Sequence, residues 1–296
     1  MIKKSLYFGN PCYLSIKHKQ LVVQLKETDE HRSLPIEDIG VVILDHPQIT
    51  LSHEVVRRLS ANNAIIVSCD ESHMPATYVQ PLSGNTLMTK VFNAQVESSL
   101  PLRKQLWQQT VQAKIHNQAE VLKKLGKNAK RLEVLERNVQ SGDAENAEGQ
   151  AAVYYWQTLF GKDFFRDSEG EPPNNLLNYG YAILRSIVAR SLIGSGLNLS
   201  LGIFHSNQYN AHCLADDIME PYRPFADLMA YEIWQTNDLA SFLDKETKTR
   251  LLSIATVDVK IGNGHSPLMV GLVQTTSSLA ECFLGRKRKI KYPVLP

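Results

Sequence analysis

The sequence predicts an α+β fold, with a small β-sandwich over residues 1–85 followed by a larger all-α region over residues 86–296. Three observations carry that expectation. The first eighty or so residues break into short apolar runs rich in β-branched side chains, which suit a pleated, half-buried surface. Pro81–Thr86 collects Pro, Ser, Gly and Asn, the composition of a boundary. Beyond it, apolar residues recur at helical spacing. A length of 296 residues also favours two domains.

In the first region, Cys12–Ile16 and Leu21–Leu25 flank the polar segment 17–20 and predict a hairpin. Pro35–Asp38 reads as a turn, and Val41–Leu44 as a buried strand. Ser52 starts a short helix with Val55, Val56 and Leu59 on one face and Asn62–Asn63 at its end. Ile65–Val67 and Tyr78–Val79 follow as strands. In the second region, Trp107, Val111, Ile115, Ala119 and Leu122 form one apolar stripe, and Gly126 closes that helix. Leu132, Leu135 and Val139 mark the next, stopped near Gly142. Asp143 is the expected N-cap of a helix running to about Phe160. A long apolar helix spans about Leu176 to Ile193, and later helices are expected at 209–215, 223–236, 245–253 and 267–284.

Composition narrows the function classes. Hydrophobic residues at 43% and charged residues at 21% exclude a disordered chain or a coiled-coil rod. No run of 18 apolar residues exists, so no membrane span is expected. The four cysteines form no CxxC, and the N-terminal apolar run is cut by Gly9, Asn10 and Pro11. A reducing cytoplasm without a signal peptide is the expectation. The net charge of +2 names no partner, but basic residues cluster: eight fall within 101–131, and Arg286, Lys287, Arg288, Lys289 and Lys291 crowd the C-terminal tail. Such clusters suit phosphate backbones, and equally a solubilising helix face. Tyr292, Pro293 and Pro296 stop the tail from continuing a helix.

The segment 201–224 concentrates candidate chemistry: His205, His212, Asp216, Asp217 and Glu220. Asp217 and Glu220 are three apart and share a face if helical, as do Asp216 and Glu220. A histidine beside two carboxylates suits a divalent metal, Mg²⁺ or Mn²⁺. The alternative is a solvated acidic helix with a packed histidine. Glu148 lies among Ala147, Gly149, Ala151 and Ala152, small neighbours that let another element approach. A partly buried carboxylate there calls for a cation. Tyr179, Tyr181 and Arg185 share the long helix; packing explains the tyrosines, and Arg185 is a candidate for positioning a substrate. Gly262–Asn263–Gly264 lacks the strand–helix setting of a phosphate cradle.

The strings LYFGNPCYLSI, LPIEDIGVVILDH and SHEVVRRLSANNAIIVSCD in the first region, with NLLNYGYAILRSIVARSLIGSGLNLSLGIFH and LADDIMEPYRPFAD in the second, resemble the CRISPR-associated integrase of spacer acquisition, once described as an endonuclease. This is the first-numbered protein of those systems, in a form like that of type II systems. The resemblance covers nearly the whole chain. It implies a homodimer built partly through the N-terminal domain. It implies metal-dependent transesterification, in which the 3′-hydroxyl of a protospacer attacks a phosphodiester of the CRISPR repeat. The implied catalytic and metal-binding residues are Glu148, His205 and Glu220, holding Mg²⁺ or Mn²⁺. Asp217 is implied either as a further ligand or as a residue behind the ligands. Arg185, Arg223, Arg286, Lys287, Arg288 and Lys289 are the expected DNA-binding residues. The implied partners are double-stranded DNA, the small dimeric second-numbered CRISPR-associated protein as a bridge, other type II adaptation factors and the RNA-guided effector nuclease. A general nuclease and a noncatalytic DNA-binding scaffold are the competing readings.

Overall fold

A computed structural model describes residues 3–26, 31–71, 73–79, 81, 85–168, 170–236 and 243–296. The chain divides into two compact units, Met1–Gly84 and Asn85–Pro296. No helix among the described residues is long and apolar enough to cross a membrane.

The first unit contains β1 (Lys4–Phe8), β2 (Cys12–Lys17), β3 (Gln20–Leu25), β4 (His31–Pro35), β5 (Ile39–Leu44), β6 (Thr50–Leu51), α1 (His53–Ala61), β7 (Ile65–Cys69) and β8 (Pro75–Val79). One sheet has the order β1-β5-β7-β8 and the other β4-β3-β2-β6. The expected hairpin is β2–β3, paired from Cys12–Leu25 to Lys17–Gln20. Cys12, Leu14 and Leu21 from one sheet and Ile39, Val42 and Ile66 from the other share a core with Val55 and Leu59 of α1. Strands β5 and β7 are parallel. A parallel pair cannot be joined by a tight turn. The crossover that carries α1 meets that demand, and the helix becomes part of the sandwich core. Strands β1 and β4 lay outside the sequence expectation.

The second unit contains α2 (Met88–Val96), α3 (Leu100–Lys124), α4 (Lys130–Asn138), α5 (Ala147–Phe160), α6 (Asn174–Gly194), α7 (Cys213–Met219), α8 (Arg223–Thr236), α9 (Lys245–Leu252), β9 (Asp258–Ile261), β10 (Gly264–Pro267) and α10 (Leu268–Phe283). Gly126 ends α3 as expected, with φ of 67°. Two findings amend the all-α expectation. Gly262 and Asn263 form the turn of the β9–β10 hairpin, a role their short polar sequence suits. Helix α7 starts at Cys213, four residues later than the expected start at 209. Side chains of the preceding residues compete with the helix: Tyr209 N donates to Asn207 Oδ1 and His212 N to Asn210 Oδ1, each 2.9 Å.

The long helix α3 is buried along more than its apolar stripe. Thr110, Asn117 and Gln118 are buried together with Trp107, Val111, Ile115 and Ala119. Its polar side chains receive the C-terminal tail, which runs along the unit's own surface. Gln109 Oε1 accepts from Ile290 N at 2.9 Å, and Thr110 Oγ1 bonds Tyr292 at 2.8 Å. Asn117 donates to the carbonyls of Pro221 (2.7 Å) and Pro293 (3.0 Å) and accepts from Leu295 N (3.1 Å). Val294 exchanges hydrogen bonds with Lys260.

A second buried polar group lies between α5, α6 and α8. Asp227 is buried and accepts from Tyr155 at 3.1 Å and from Tyr181. Burial pushes its pKa up to about 7, against the opposing pull of the tyrosine hydroxyls and Arg223. Arg223 lies over the Tyr181 ring, 4.4 Å from its centroid.

Two outcomes follow from these buried groups. Asn117→Ala removes three hydrogen bonds and leaves their partners enclosed, so it should lower the unfolding free energy by about 3 kcal/mol in urea titrations. A loss within experimental error would show that the tail is not anchored there. Asp227 holds its proton more tightly folded than unfolded. Its contribution to stability is therefore full below about pH 4 and lost as pH rises through about 7. Asp227→Asn should flatten stability over that interval, measured by denaturation at pH 5 and pH 8; an unchanged slope contradicts the assignment.

Candidate active site

Three short stretches of chain, distant in sequence, build the site. The first is the start of α5, which carries Glu148. The left-handed Asn146 caps the helix, its Oδ1 accepting from Gly149 N at 3.2 Å. Asp143, the expected cap, instead reaches in from three residues upstream of the cap. Its carboxylate accepts from Ala147 N at 2.8 Å and Glu148 N at 3.0 Å. Two side chains thus satisfy N–H groups that the first helical turn leaves open, and they fix the backbone under Glu148.

The second stretch is the loop before α7. Buried Gln95 of α2 pins it, donating to the carbonyls of Asn198 (3.0 Å) and Leu201 (2.7 Å) and accepting from Asn198 N (2.9 Å). The loop then wraps around Asp217, which is 0% exposed. Oδ2 accepts from Ile203 N (2.5 Å) and Phe204 N (3.0 Å), and Oδ1 from His205 N (3.2 Å). His205 Nδ1 also lies 2.5 Å from Oδ1. Gly202 permits this wrap: a Cβ there would collide with the His205 carbonyl and lie 2.8 Å from Asp217 Oδ2. The hydrogen bond to Asp217 raises the His205 pKa above its usual value, outweighing burial. Trp107 holds the neighbouring ring, stacked on Phe204 at 4.4 Å and edge-on to His205 at 5.9 Å.

The third stretch is the joint between α7 and α8, where Glu220 opens a single 3₁₀ turn. Its Oε1 accepts from Arg223 Nε at 2.8 Å. Its Oε2 lies 2.6 Å from Lys114 Nζ, and the same ammonium donates to Glu148 Oε1 at 2.6 Å. Lys114 belongs to α3. Burial penalises every charge here. For Lys114, Glu220 and Glu148 outweigh burial and hold its pKa above the usual lysine value. For Glu220, Arg223 and Lys114 outweigh burial and hold its carboxyl below its usual value.

The fold thus joins Glu148 to Glu220 through Lys114. His205 is close enough to Glu220 for each to perturb the other's titration. Among the described residues, no group of three or more His, Cys, Asp or Glu side chains is arranged to hold a metal ion. The donor types nonetheless fit Mg²⁺ or Mn²⁺. Two carboxylates and an imidazole form an oxygen-rich set, and His205 has its Nδ1 tied to a carboxylate, the arrangement that frees Nε2 for a ligand role. Glu220 Oε2 is enclosed, and among the described residues its ion-pair partner is the Lys114 ammonium 2.6 Å away. Asp217 is different. Both its oxygens accept hydrogen bonds from residues 203–205, so in this arrangement it orients His205 and its loop. A cavity of ≈ 490 Å³ lies beside His205, lined also by Arg103, Ser206, Asn207 and Asn210.

The expected DNA-binding residues divide. Arg223 is engaged by Glu220 and Tyr181, so it belongs to the charge network of the site and is not a free cation. Arg185 pairs with Asp216 at 2.6 Å and with Asn210 at 3.1 Å. Arg286 pairs with Glu281, while Arg286, Lys287, Arg288 and Lys289 all remain exposed. Part of the 101–131 cluster is engaged within the unit: Lys114 enters the site, exposed Lys123 pairs with Glu120 and Glu133, and Lys127 bonds the carbonyls of Thr158 and Leu159. Lys114 and Asp227 were not read from the sequence as members of a site. The one signal for Lys114 was its position one turn from Val111, next to the apolar stripe.

Comparison with known proteins shows the family of the chain. The family model described as CRISPR associated protein Cas1 matches residues 6–256. A "CRISPR-associated endonuclease Cas1" of Neisseria meningitidis is 35% identical over 300 residues, covering 100% of this chain and 98% of the relative. A second relative of that name, from Pyrobaculum aerophilum, is 25% identical over 280 residues, covering 90% and 95%. In fold, the chain resembles a casposase bound to integration product (TM-score 0.80, 19% identity, covering 98% and 92%). It also resembles a Cas1 protein from Thermotoga maritima (TM-score 0.75, 17% identity, covering 96% and 98%). With a family model spanning most of its length and a full-length relative at that identity, the chain belongs to the CRISPR-associated Cas1 family.

Proposed function

We propose that this protein is the integrase of CRISPR spacer acquisition, in the type II-like form, joining 3′-hydroxyl ends of protospacer DNA into the repeat array. The observation that carries the reading is the meeting of Glu148 and Glu220 on one ammonium, beside a histidine locked by Asp217. A divalent ion such as Mg²⁺ or Mn²⁺, held by Glu148, His205 and Glu220, would supply Lewis-acid stabilisation of the charge that grows on the phosphoryl oxygens. The chain's own residues do the rest. Asp217 fixes the ring and backbone of His205. Arg223 keeps Glu220 ionised. The cavity at His205 offers amide and hydroxyl groups to a nucleotide end. Exposed Arg286–Lys289 hold phosphate backbone without reading sequence. One phosphodiester replaces another, so no nucleotide triphosphate is consumed.

Partners follow from the same reading. A structural neighbour is a Cas6-RT-Cas1–Cas2 complex (TM-score 0.71, 20% identity, covering 97% of this chain and 35% of the other). That likeness supports a small Cas2-type dimer bridging two copies of a homodimer of this chain. Double-stranded protospacer and repeat DNA are the substrates, and type II adaptation factors and the effector nuclease are further partners. The name endonuclease carried by the curated relatives favours one second reading. Water can replace the 3′-hydroxyl at the same site and leave shortened strands.

Labelled oligonucleotides with repeat-containing DNA distinguish the two. Joined products are expected from the wild-type protein with Mn²⁺, and shortened strands alone would support the nuclease. Glu148→Gln, His205→Ala and Glu220→Gln should each lower joining by at least about 100-fold while circular dichroism stays unchanged. A folded Glu220→Gln variant with undiminished joining removes that residue from the site. Neutralising Arg286–Lys289 should reduce the slope of log affinity against log salt by about 0.9 for each phosphate that the variant no longer neutralises.

A further inference from the structure

The Lys114 ammonium lies between the two carboxylates most suited to share a cation, 2.6 Å from an oxygen of each. We infer that Lys114 is a resident counter-ion of this site, and that a divalent cation enters by displacing its ammonium from Glu148 and Glu220. The inference rests on the metal-dependent reading above and adds a residue to it.

Three features argue for displacement over a fixed ion pair. The first is charge. Glu148 and Glu220 carry two negative charges, which Lys114 and Arg223 balance, so the protein can hold buried Glu220 beside half-buried Glu148 without metal. A doubly charged cation placed on the same oxygens would meet a positive charge at contact distance in a partly desolvated site, where repulsion is strong. One of the two cations must then give way. The second is anchoring. Arg223 is held by Glu220 and lies flat over the Tyr181 ring, whereas the ion pairs and hydrogen bonds of Lys114 among the described residues run to the two carboxylates alone. An ammonium on a flexible four-carbon stem moves more readily than a stacked guanidinium. The third is access. The Lys114 side chain retains 12% exposure, so it has a path outward. Glu220 Oε2 faces Lys114 with one lone pair, and a carboxylate oxygen carries a second that a stronger partner can use.

The test uses the full chain and the metal itself. Free Mn²⁺ is measured by electron paramagnetic resonance during titration of wild type, Lys114→Met and Glu220→Gln. Lys114→Met is expected to bind Mn²⁺ at least about tenfold more tightly than wild type, and Glu220→Gln to lose that binding. Lys114→Met should also melt lower than wild type in EDTA and recover more on adding Mn²⁺, because its two carboxylates lack a partner without metal. If wild type binds Mn²⁺ and Lys114→Met binds equally or more weakly, the displacement is wrong and the metal-dependent reading stands. If no folded form binds Mn²⁺, the reading itself falls, and this inference with it. A second measurement needs no variant. In wild type, Mg²⁺ should raise the rate at which an acetylating reagent modifies Lys114 several-fold, read by peptide mass spectrometry against exposed Lys289. An unchanged Lys114 rate overturns the inference even if Lys114→Met fails to fold.

Discussion

Two carboxylates cannot be enclosed side by side without a cation between them, and the helical unit is organised around that constraint. Glu148 comes from the start of α5 and Glu220 from the joint of α7 and α8, and the ammonium that reconciles them comes from α3. Glu220 alone would be a buried charge of high cost, and Glu148 and Lys114 lie half-buried beside it. Together with Arg223 they form a balanced set, so assembling the site and assembling the helices are the same event. That explains why α3 carries polar residues on its buried surface. Lys114 faces the carboxylates, while Asn117, one turn on, holds the carbonyls of Pro221 and Pro293. Pro221 follows Glu220 directly, so α3 grips that joint by both charge and hydrogen bond.

The acids of the α7 segment show how neighbours in sequence acquire different chemistry. Asp216 faces Arg185 and Asn210 and ties α7 to α6. Asp217 faces the opposite way and is saturated by three backbone N–H groups and an imidazole. Glu220 faces two cations, Arg223 on Oε1 and Lys114 on Oε2. Helical spacing makes Asp217 and Glu220 candidates for one shared ion. The structure separates them because the glycine-containing loop at 202 wraps so tightly that Asp217 is needed as its internal acceptor. The outcome still serves a site, since a histidine whose orientation is fixed by a buried carboxylate is prepared for a directed role.

How much of this was legible follows from how local each signal was. Strands β2, β3, β5 and β7 and helices α1, α3, α6, α8 and α10 have patterns complete within their own residues, and the sequence reading placed them. Strands β1 (KSLYF) and β4 (HRSLP) lack the continuous β-branched run that marks β7 (IIVSC), and the β9–β10 strands have only four residues each. The shifted start of α7 reflects Asn207 and Asn210, whose side chains cap backbone groups that a periodicity argument treats as helical. Within the site, residue types and spacing made Glu148, His205 and Glu220 candidates, and the family resemblance gave them roles. Lys114 belongs in sequence to the 101–131 basic cluster, read as phosphate-binding or solubilising, because nothing adjacent to it reveals that two acids arrive from other elements. Asp227 had no signal at all, since its partners Tyr155 and Tyr181 lie on separate elements.

The same distinction governs the basic residues, and it bears on how a nucleic acid would be held. Counting lysines and arginines measures available charge only if none is spent internally. Lys114, Lys123, Lys127, Arg185 and Arg223 are spent on acids or carbonyls. In the C-terminal block only Arg286 has an acidic partner among the described residues, Glu281, and all four cations stay exposed for a structural reason. The chain leaves α10, exposes residues 286–289, and is then captured where Gln109 binds Arg288 O and Ile290 N. Further anchors at Tyr292, Pro293 and Leu295 follow. Four basic residues are therefore held in a segment whose two ends are fixed to the body that carries the site. Fixed charges lose less conformational freedom on meeting a phosphate than charges on a free tail would. The buried anchoring of the last residues thus does electrostatic work at a distance: it turns a run of cations that could trail in solvent into a surface of defined place.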